Sequence, residues 1–389
     1  MGFLPVAARS AVSALGATQA AMHAALFEGK RHLSPPPFDV PERTVCGVVS
    51  GDVLAPLRGA LAAFDCRQAR LAVAAAESLQ TAVRAAIRRH GADRVALVVG
   101  SSTGGVRATE RALGEAGPDG PLPPWFDYDR MHAMGATVEV LRRLLGVRGP
   151  AMVVSTACSS SGKALATAKR LVDAGLADAA VAGGVDSLCV LTVRGFSALG
   201  VLDEAPCRPF AADRGGINLG EAAAFLVLDP KADAPWALLG CGESSDAHHM
   251  SAPDPEGHGA AAAMRAALED AGLGPEAVGH VNAHGTATIQ NDAAESAAIC
   301  EVLGPDVPVL STKGWTGHTL GAAGALEAVI ALCCLDAGRV PASLGADPLD
   351  PSIPCAVTRG ETVLERPVAI SNSFAFGGSN VSVILGRVP

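Results

Sequence analysis

The stretch VVSTACSSSGKAL (153–165) decides the reading of this chain: an apolar, strand-like run gives way to small residues and then to a helical pattern. A thiol at such a turn lies near a helix N-terminus, where unpaired N–H groups and the positive end of the dipole favour thiolate. Cys158 is therefore a candidate nucleophile, although an arbitrary cysteine is more often a small core residue.

The same alternation continues on both sides. Short runs rich in Val, Ala and Leu recur at 94–100, 178–184, 223–228, 236–240, 278–283, 307–310, 367–371 and 380–385, with 151–156 leading into Cys158. Several are apolar at nearly every position, as expected of strands covered on both faces. Between them lie helical segments such as 67–90, where Leu79, Val83 and Ile87 recur at spacing four beside Arg84, Arg88 and Arg89. The alternation predicts an α/β fold with helices on both sides of its sheets. The linker DPKADAP (229–235) interrupts the apolar pattern and divides the chain into halves 1–231 and 232–389. The opening MGFLPVAARSAVSALGATQAA reads as strand then helix, because Arg9 interrupts the apolar run that a signal peptide would need.

Composition narrows the function. The 389 residues are 49% hydrophobic, enough for a large core, and only 4% aromatic, which leaves few platforms on which bases could stack. The net charge of -9 would repel a phosphate polymer, so nucleic acid is not the expected partner. Ten cysteines at irregular spacing form no paired framework and suggest reduced thiols in a cytoplasmic protein. No uncharged apolar stretch of about 18 residues reads as a membrane insertion, and no phosphate loop or metal motif appears, so neither metal nor nucleotide is assigned.

Three further clusters carry polar chemistry. VNAHGTATIQND (281–292) places His284 after a strand, with Thr286 and Thr288 able to bond a polar ligand arm. LSTKGWTGHTLGAAGALEA (310–328) brings Lys313 and His318 before a helix rich in Gly and Ala, whose small residues allow close backbone approach. ISNSFAFGGSN (370–380) sets Phe374 and Phe376 before a Gly pair between two strands. A thiolate, two imidazoles, a cation and a Gly-rich loop together suit the handling of thioesters.

STACSSS, NAHGTAT, STKGWTGH followed by LGAAG, and SNSFAFGG resemble, in order, the signature segments of the β-ketoacyl-acyl-carrier-protein synthases of the FabB/FabF type, and the likeness extends through CRPFAADRGGINLGEAA (207–223). The resemblance implies a five-layer αβαβα thiolase fold with two similar halves. It implies that Cys158 accepts an acyl chain from the phosphopantetheine of an acyl carrier protein, with no other cofactor. His284 and His318 would hydrogen-bond the malonyl thioester carbonyl during decarboxylation. Backbone N–H groups of Cys158 and Phe376 would form the oxyanion hole, Lys313 would orient and tune His318, and Thr286 and Thr288 would hold the pantetheine arm. Phe376 would gate the cysteine, and Asp292, Glu295 and Glu327 would be buried supports. A dimer is implied, either a homodimer or a heterodimer with a chain-length-factor subunit, with 121–157 as interface. Arg67, Arg70, Arg107, Arg130 and Arg208 are candidates for docking the carrier protein.

Departures from the family pattern lie near the expected acyl pocket and gate. Gly215 stands where Asp is usual, Ile217 where Phe is common, Ala222 and Ala375 where Gly is common, Ile289 where Pro is usual, and Thr103 where an isoleucine can close the pocket floor. With Phe374, residues Ile217 and Thr103 are expected to contact the acyl chain. These departures, with GESSDAHHMSAPDPEG (242–257), resemble the ketosynthases of bacterial aryl-polyene clusters, a type II polyketide setting. Housekeeping fatty-acid elongation is the alternative. A thiolase would carry a second catalytic cysteine, and a non-catalytic partner subunit would have lost Cys158. GSSTG (100–104) also matches a G-x-S-x-G hydrolase elbow with Ser102 as nucleophile, a reading that leaves Lys313 and one histidine without roles.

Overall fold

The computed structural model describes residues 2–388. Eleven strands form one continuous hydrogen-bonded series: β1 (Leu4–Val12), β2 (Val95–Gly100), β3 (Ala151–Val154), β4 (Ala179–Asp186), β5 (Ala222–Leu228), β6 (Trp236–Ser245), β7 (His280–Asn282), β8 (Pro308–Leu310), β9 (Ala356–Val357), β10 (Val368–Ala375) and β11 (Ser379–Arg387). Their lateral order is 9-8-7-10-11-6-1-5-4-2-3. All nine strand runs read from the sequence are strands here, and the chain begins with strand β1 followed by helix α1 (Gln19–Glu28).

The order contains a repeat that hydropathy alone does not show. The first five strands lie as 3-2-4-5-1, and β6, β7, β8, β10 and β11 lie as 8-7-10-11-6, the same arrangement in the second half. In each, two parallel pairings are followed by two antiparallel ones. The halves join at β1, whose Leu4 and Pro5 pair with β6 while Val6–Val12 pair with β5 across a bulge.

Helices sort into three layers around these two sheets. On the outer face of the first lie α2 (Arg67–Glu77), α3 (Gln80–His90) and α5 (Met134–Leu145), with α4 (Val106–Ala116) beyond them. The 67–90 segment is thus two helices, because the chain turns at Ser78–Leu79. Between the sheets lie α6 (Ser160–Asp173) and α11 (Ala323–Ala337); α8 (His258–Ala271) and α9 (Ile289–Leu303) cover the second sheet from outside. The remaining helices are α7 (Val190–Ala198) and the single turn α10 (Lys313–Thr316). This is the five-layer thiolase architecture.

Burial explains the composition. β2, β4 and β5 are buried at every residue because helices cover both faces. Helix α11 is apolar all round and buried from Ala323 to Leu335, as a central-layer helix must be. The stretch Leu320–Ala337 has the length and hydropathy of a membrane-crossing helix, yet 89% of it is buried inside the fold. The two central helices approach closely: a Cβ on Gly324 of α11 would lie 2.7 Å from the backbone nitrogen of Gly162 in α6, so glycine is needed at 324.

Candidate active site

Cys158 sits in a tight turn between the end of β3 and the start of α6, and Ala157 before it adopts φ 51°, a strained value for a residue with a side chain. The three serines hold that turn in place. Ser159 Oγ donates to the carbonyl of Thr156 (2.8 Å), Ser160 Oγ donates to that of Ala157 (2.6 Å) and accepts from the N–H of Thr156 (2.9 Å), and Ser161 Oγ accepts from the N–H of Ala325 in α11 (2.9 Å).

His318 meets the nucleophile directly, its Nε2 lying 2.8 Å from Cys158 Sγ. Its backbone is fixed by the 218–220 segment: the His318 N–H donates to the Asn218 carbonyl (2.7 Å) and the Gly220 N–H donates to the His318 carbonyl (2.8 Å). His284 follows β7, with its ring centroid 5.3 Å from that of His318 at 87°. Glu295 of α9 grips this loop, accepting the N–H groups of His284 (2.7 Å) and Gly285 (2.8 Å). Asp292 accepts from Ala287 (3.1 Å) and Phe210 (2.8 Å). These buried carboxylates support the loops as the sequence suggested.

Lys313 is fully buried and bonded to Glu327. No hydrogen bond joins it to His318 among the described residues, so it can reach that ring only through its charge. Burial, followed by the Lys313 charge, holds both histidines well below the usual imidazole range; His318 lowers His284 further. The rings are neutral at physiological pH, and neither Nδ1 has a hydrogen-bond partner among the described residues.

The thiol corrects the sequence expectation. Burial pushes the Cys158 thiol up to about 12, outweighing the Lys313 charge and the backbone N–H groups of Phe376 and Cys158 that hydrogen-bond the sulfur. Desolvation therefore wins over the helix terminus, and the resting group is a neutral thiol.

A narrow cleft opens onto these groups. Cys158, His284, His318, Thr286, Thr288, Ile217, Phe374 and Phe376 all line it, and the Thr286 and Thr288 hydroxyls are 2.9 Å apart. The sequence reading missed three further lining residues: Phe196, whose ring stacks on Phe376 at 5.6 Å, Asp246 and the buried Asn380. Phe196 belongs to the outward-facing helix α7, where exposed Leu191 and Leu199 were the available signal.

Two expectations fail on position. Thr103 does not line the cleft: its hydroxyl donates to Asp186 (2.8 Å), so it is not a contact for the chain in this cleft. Ser102 is no hydrolase nucleophile, because its hydroxyl donates to the same carboxylate (2.5 Å) while the histidines attend Cys158. Ala375 ends β10, paired with Ser379, and positive φ falls instead on Gly377 and Gly378. Arg67, Arg70, Arg107 and Arg130 line one groove together with Arg111 and Trp125, whereas Arg208 lies outside it, bonded to Asp213.

Comparison with known proteins agrees with this geometry. Residues 60–234 match the N-terminal domain of β-ketoacyl synthase and residues 237–347 its C-terminal domain. The 3-oxoacyl-[acyl-carrier-protein] synthase 2 of Vibrio cholerae is 35% identical over 325 residues, 78% of each chain. That of Synechocystis is 34% identical over 339 residues, 82% of this chain and 80% of the relative. Among solved structures, the ketosynthase ApeO of Xenorhabdus doucetiae, in complex with its chain length factor ApeC, superimposes with a TM-score of 0.92 at 38% identity, covering 100% of this chain and 98% of the other. The ishigamide ketosynthase/chain length factor gives 0.91 at 28% identity over 100% of both chains. The chain belongs to the β-ketoacyl synthase family, as a chain-elongating ketosynthase and acyltransferase of the 3-oxoacyl-[acyl-carrier-protein] synthase class.

Proposed function

We propose that Cys158, His284, His318 and Lys313 carry out a decarboxylative Claisen condensation between a Cys158-bound acyl chain and malonyl on an acyl carrier protein, in type II polyketide synthesis of the aryl-polyene kind. The observation that carries this reading is the 2.8 Å contact between His318 Nε2 and Cys158 Sγ beside a second imidazole. In the first half-reaction His318 Nε2 takes the thiol proton as the sulfur attacks the incoming thioester, and the pantetheine sulfur leaves. The N–H groups of Phe376 and Cys158, which hydrogen-bond the resting sulfur, would turn to the oxyanion as it forms. The imidazolium passes that proton to the departing pantetheine sulfur, which leaves as the carrier thiol, and the ring is neutral again. In the second half-reaction His284 and His318 donate to the malonyl thioester oxygen. The bond to carbon dioxide breaks, the resulting enolate carbon attacks the acyl carbonyl, and Cys158 sulfur departs and takes up a proton from solvent to return to the neutral thiol. Burial, helped by the Lys313 charge, keeps both rings neutral for this step, as hydrogen-bond donors rather than acids.

Thr286 and Thr288 hold the pantetheine arm, Phe374 and Ile217 line the acyl entrance, and Phe376 gates it. The substrates bring their own phosphopantetheine and the site calls for no further cofactor. The groove of Arg67, Arg70, Arg107 and Arg130 suits an acidic carrier protein despite the net charge of -9. The half-exposed apolar strand β3, paired on one side only, supports a dimer through 121–157, and the chain-length-factor complexes of ApeO and of the ishigamide ketosynthase favour the heterodimer. We place the enzyme in the cytoplasm, with its functional halves at 1–231 and 232–389.

The test of the pathway is a loading panel followed by intact-protein mass spectrometry. An aryl-primed unsaturated acyl carrier protein should load faster than a saturated one of equal length. Equal or inverted rates return the enzyme to fatty-acid elongation.

A further inference from the structure

The GSSTG segment, which is no nucleophile elbow, builds something else. Ser101 Oγ (2.7 Å), Ser102 Oγ (2.5 Å), Thr103 Oγ1 (2.8 Å) and the backbone N–H groups of Ser102 (2.9 Å) and Thr103 (3.1 Å) all donate to the carboxylate of Asp186 at the end of β4. A further donor comes from the other half of the molecule, the N–H of Gly321 at 2.7 Å. Gly321 lies three residues after His318, and a Cβ there would sit 2.6 Å from Asp186 Oδ2, so only glycine lets the loop approach. Asp186 is fully buried, and no Lys, Arg or His bonds it among the described residues. A buried carboxylate without a cation is costly unless it is fully hydrogen-bonded, and this one is.

We propose that Asp186 is a positioning residue for the condensation: it pins the loop carrying His318 to the 101–103 cradle and thereby sets the approach of His318 Nε2 to Cys158. The role rests on Cys158 being the nucleophile. The geometry gives the carboxylate a second effect through its charge. His284 and His318 line the cleft with Cys158, and the charges that act on its sulfur are those of Lys313, which favours thiolate, and Asp186, which opposes it. The three hydroxyls damp that opposing field by donating into it. The cradle and the carboxylate therefore pull the thiol in opposite directions, which a merely structural role would not do.

The experiment compares wild type, Asp186→Asn and Ser102→Ala, with Cys158→Ala as control. The readouts are iodoacetamide alkylation at residue 158 against pH, and kcat and KM for condensation. Asp186→Asn removes the charge, so its alkylation profile should move to lower pH, while kcat falls on the order of 100-fold with KM for the carrier proteins little changed, as expected of a misplaced base. Ser102→Ala leaves the charge less compensated, so its profile should move to higher pH. Profiles of both folded variants that coincide with wild type, or that shift in the same direction, overturn the proposal. If Asp186→Asn does not fold, Ser102→Ala alone decides, since a downward or absent shift contradicts it. Alkylation elsewhere than Cys158 in wild type, or acyl loading of Cys158→Ala, would instead overturn the reading of the nucleophile, and with it this role.

Discussion

His318 Nε2 stands 2.8 Å from Cys158 Sγ, across the boundary between the two halves of the molecule, so neither half holds a complete site. The thiol is held up to about 12, so in the proposed mechanism its proton leaves during attack, to His318, the imidazole in contact.

Replacing His318 by Ala should therefore slow acyl loading by about 100-fold and condensation by about 1,000-fold, within the range for a lost proton-transfer or donor group. Single-turnover loading and carbon dioxide release, measured separately, check this. Equal losses in both steps would contradict the two uses of the ring.

Glu295 accepts two successive backbone N–H groups at the His284 loop, so Glu295→Ala leaves both donors buried without partners. The variant should lose about 2 to 6 kcal/mol in urea unfolding, given about 1 to 3 kcal/mol for each unsatisfied group. Its decarboxylation should fall further than its acyl loading, because the loading base His318 is held elsewhere. A variant with unimpaired decarboxylation would show that His284 is positioned by other contacts.

Glu327 is raised to about 7 by burial, even beside Lys313. A carboxyl whose pKa is higher folded than unfolded contributes stability that is full below about 4.5 and is lost as pH rises through about 7. The stability of wild type minus that of Glu327→Gln should therefore decline between pH 4.5 and 7 in urea titrations. A difference that grows with pH over that window would contradict the direction of the shift.

Ala375 closes the β10–β11 pairing beside the gate residue Phe376. Gly at this position can leave the strand conformation at little steric cost, so Ala375→Gly should lower stability by roughly 0.5 to 1 kcal/mol and speed loading of bulky acyl chains. Loading of a bulky and a short chain in parallel distinguishes a freer gate, which favours the bulky one, from a general change in the site.

Much of this was legible in the sequence because it is local. Nine strand runs, the turn at Cys158 and the two histidine loops each announce themselves within about ten residues through apolar runs and small residues. The 3-2-4-5-1 arrangement shared by both halves was not visible as a repeat, since it resides in pairing between strands distant in the chain. The serines at 159–161 pointed to the site, but their work of tying the turn to itself and to Ala325 requires the fold. Thr103 was misplaced because alignment gives a position but not a direction, and the hydroxyl turns to Asp186. The thiol was misjudged because a sequence shows the helix terminus but not the depth of burial, and burial is the larger effect.

The most direct measurement of the central claim is intact-protein mass spectrometry of wild type and Cys158→Ala after incubation with acyl carrier proteins, in the presence of the partner subunit, followed by addition of malonyl carrier protein. The account requires a single acyl adduct on Cys158 of wild type that disappears as β-ketoacyl product forms, and none on the variant. An adduct that persists in Cys158→Ala, or product formed by that variant, would contradict it.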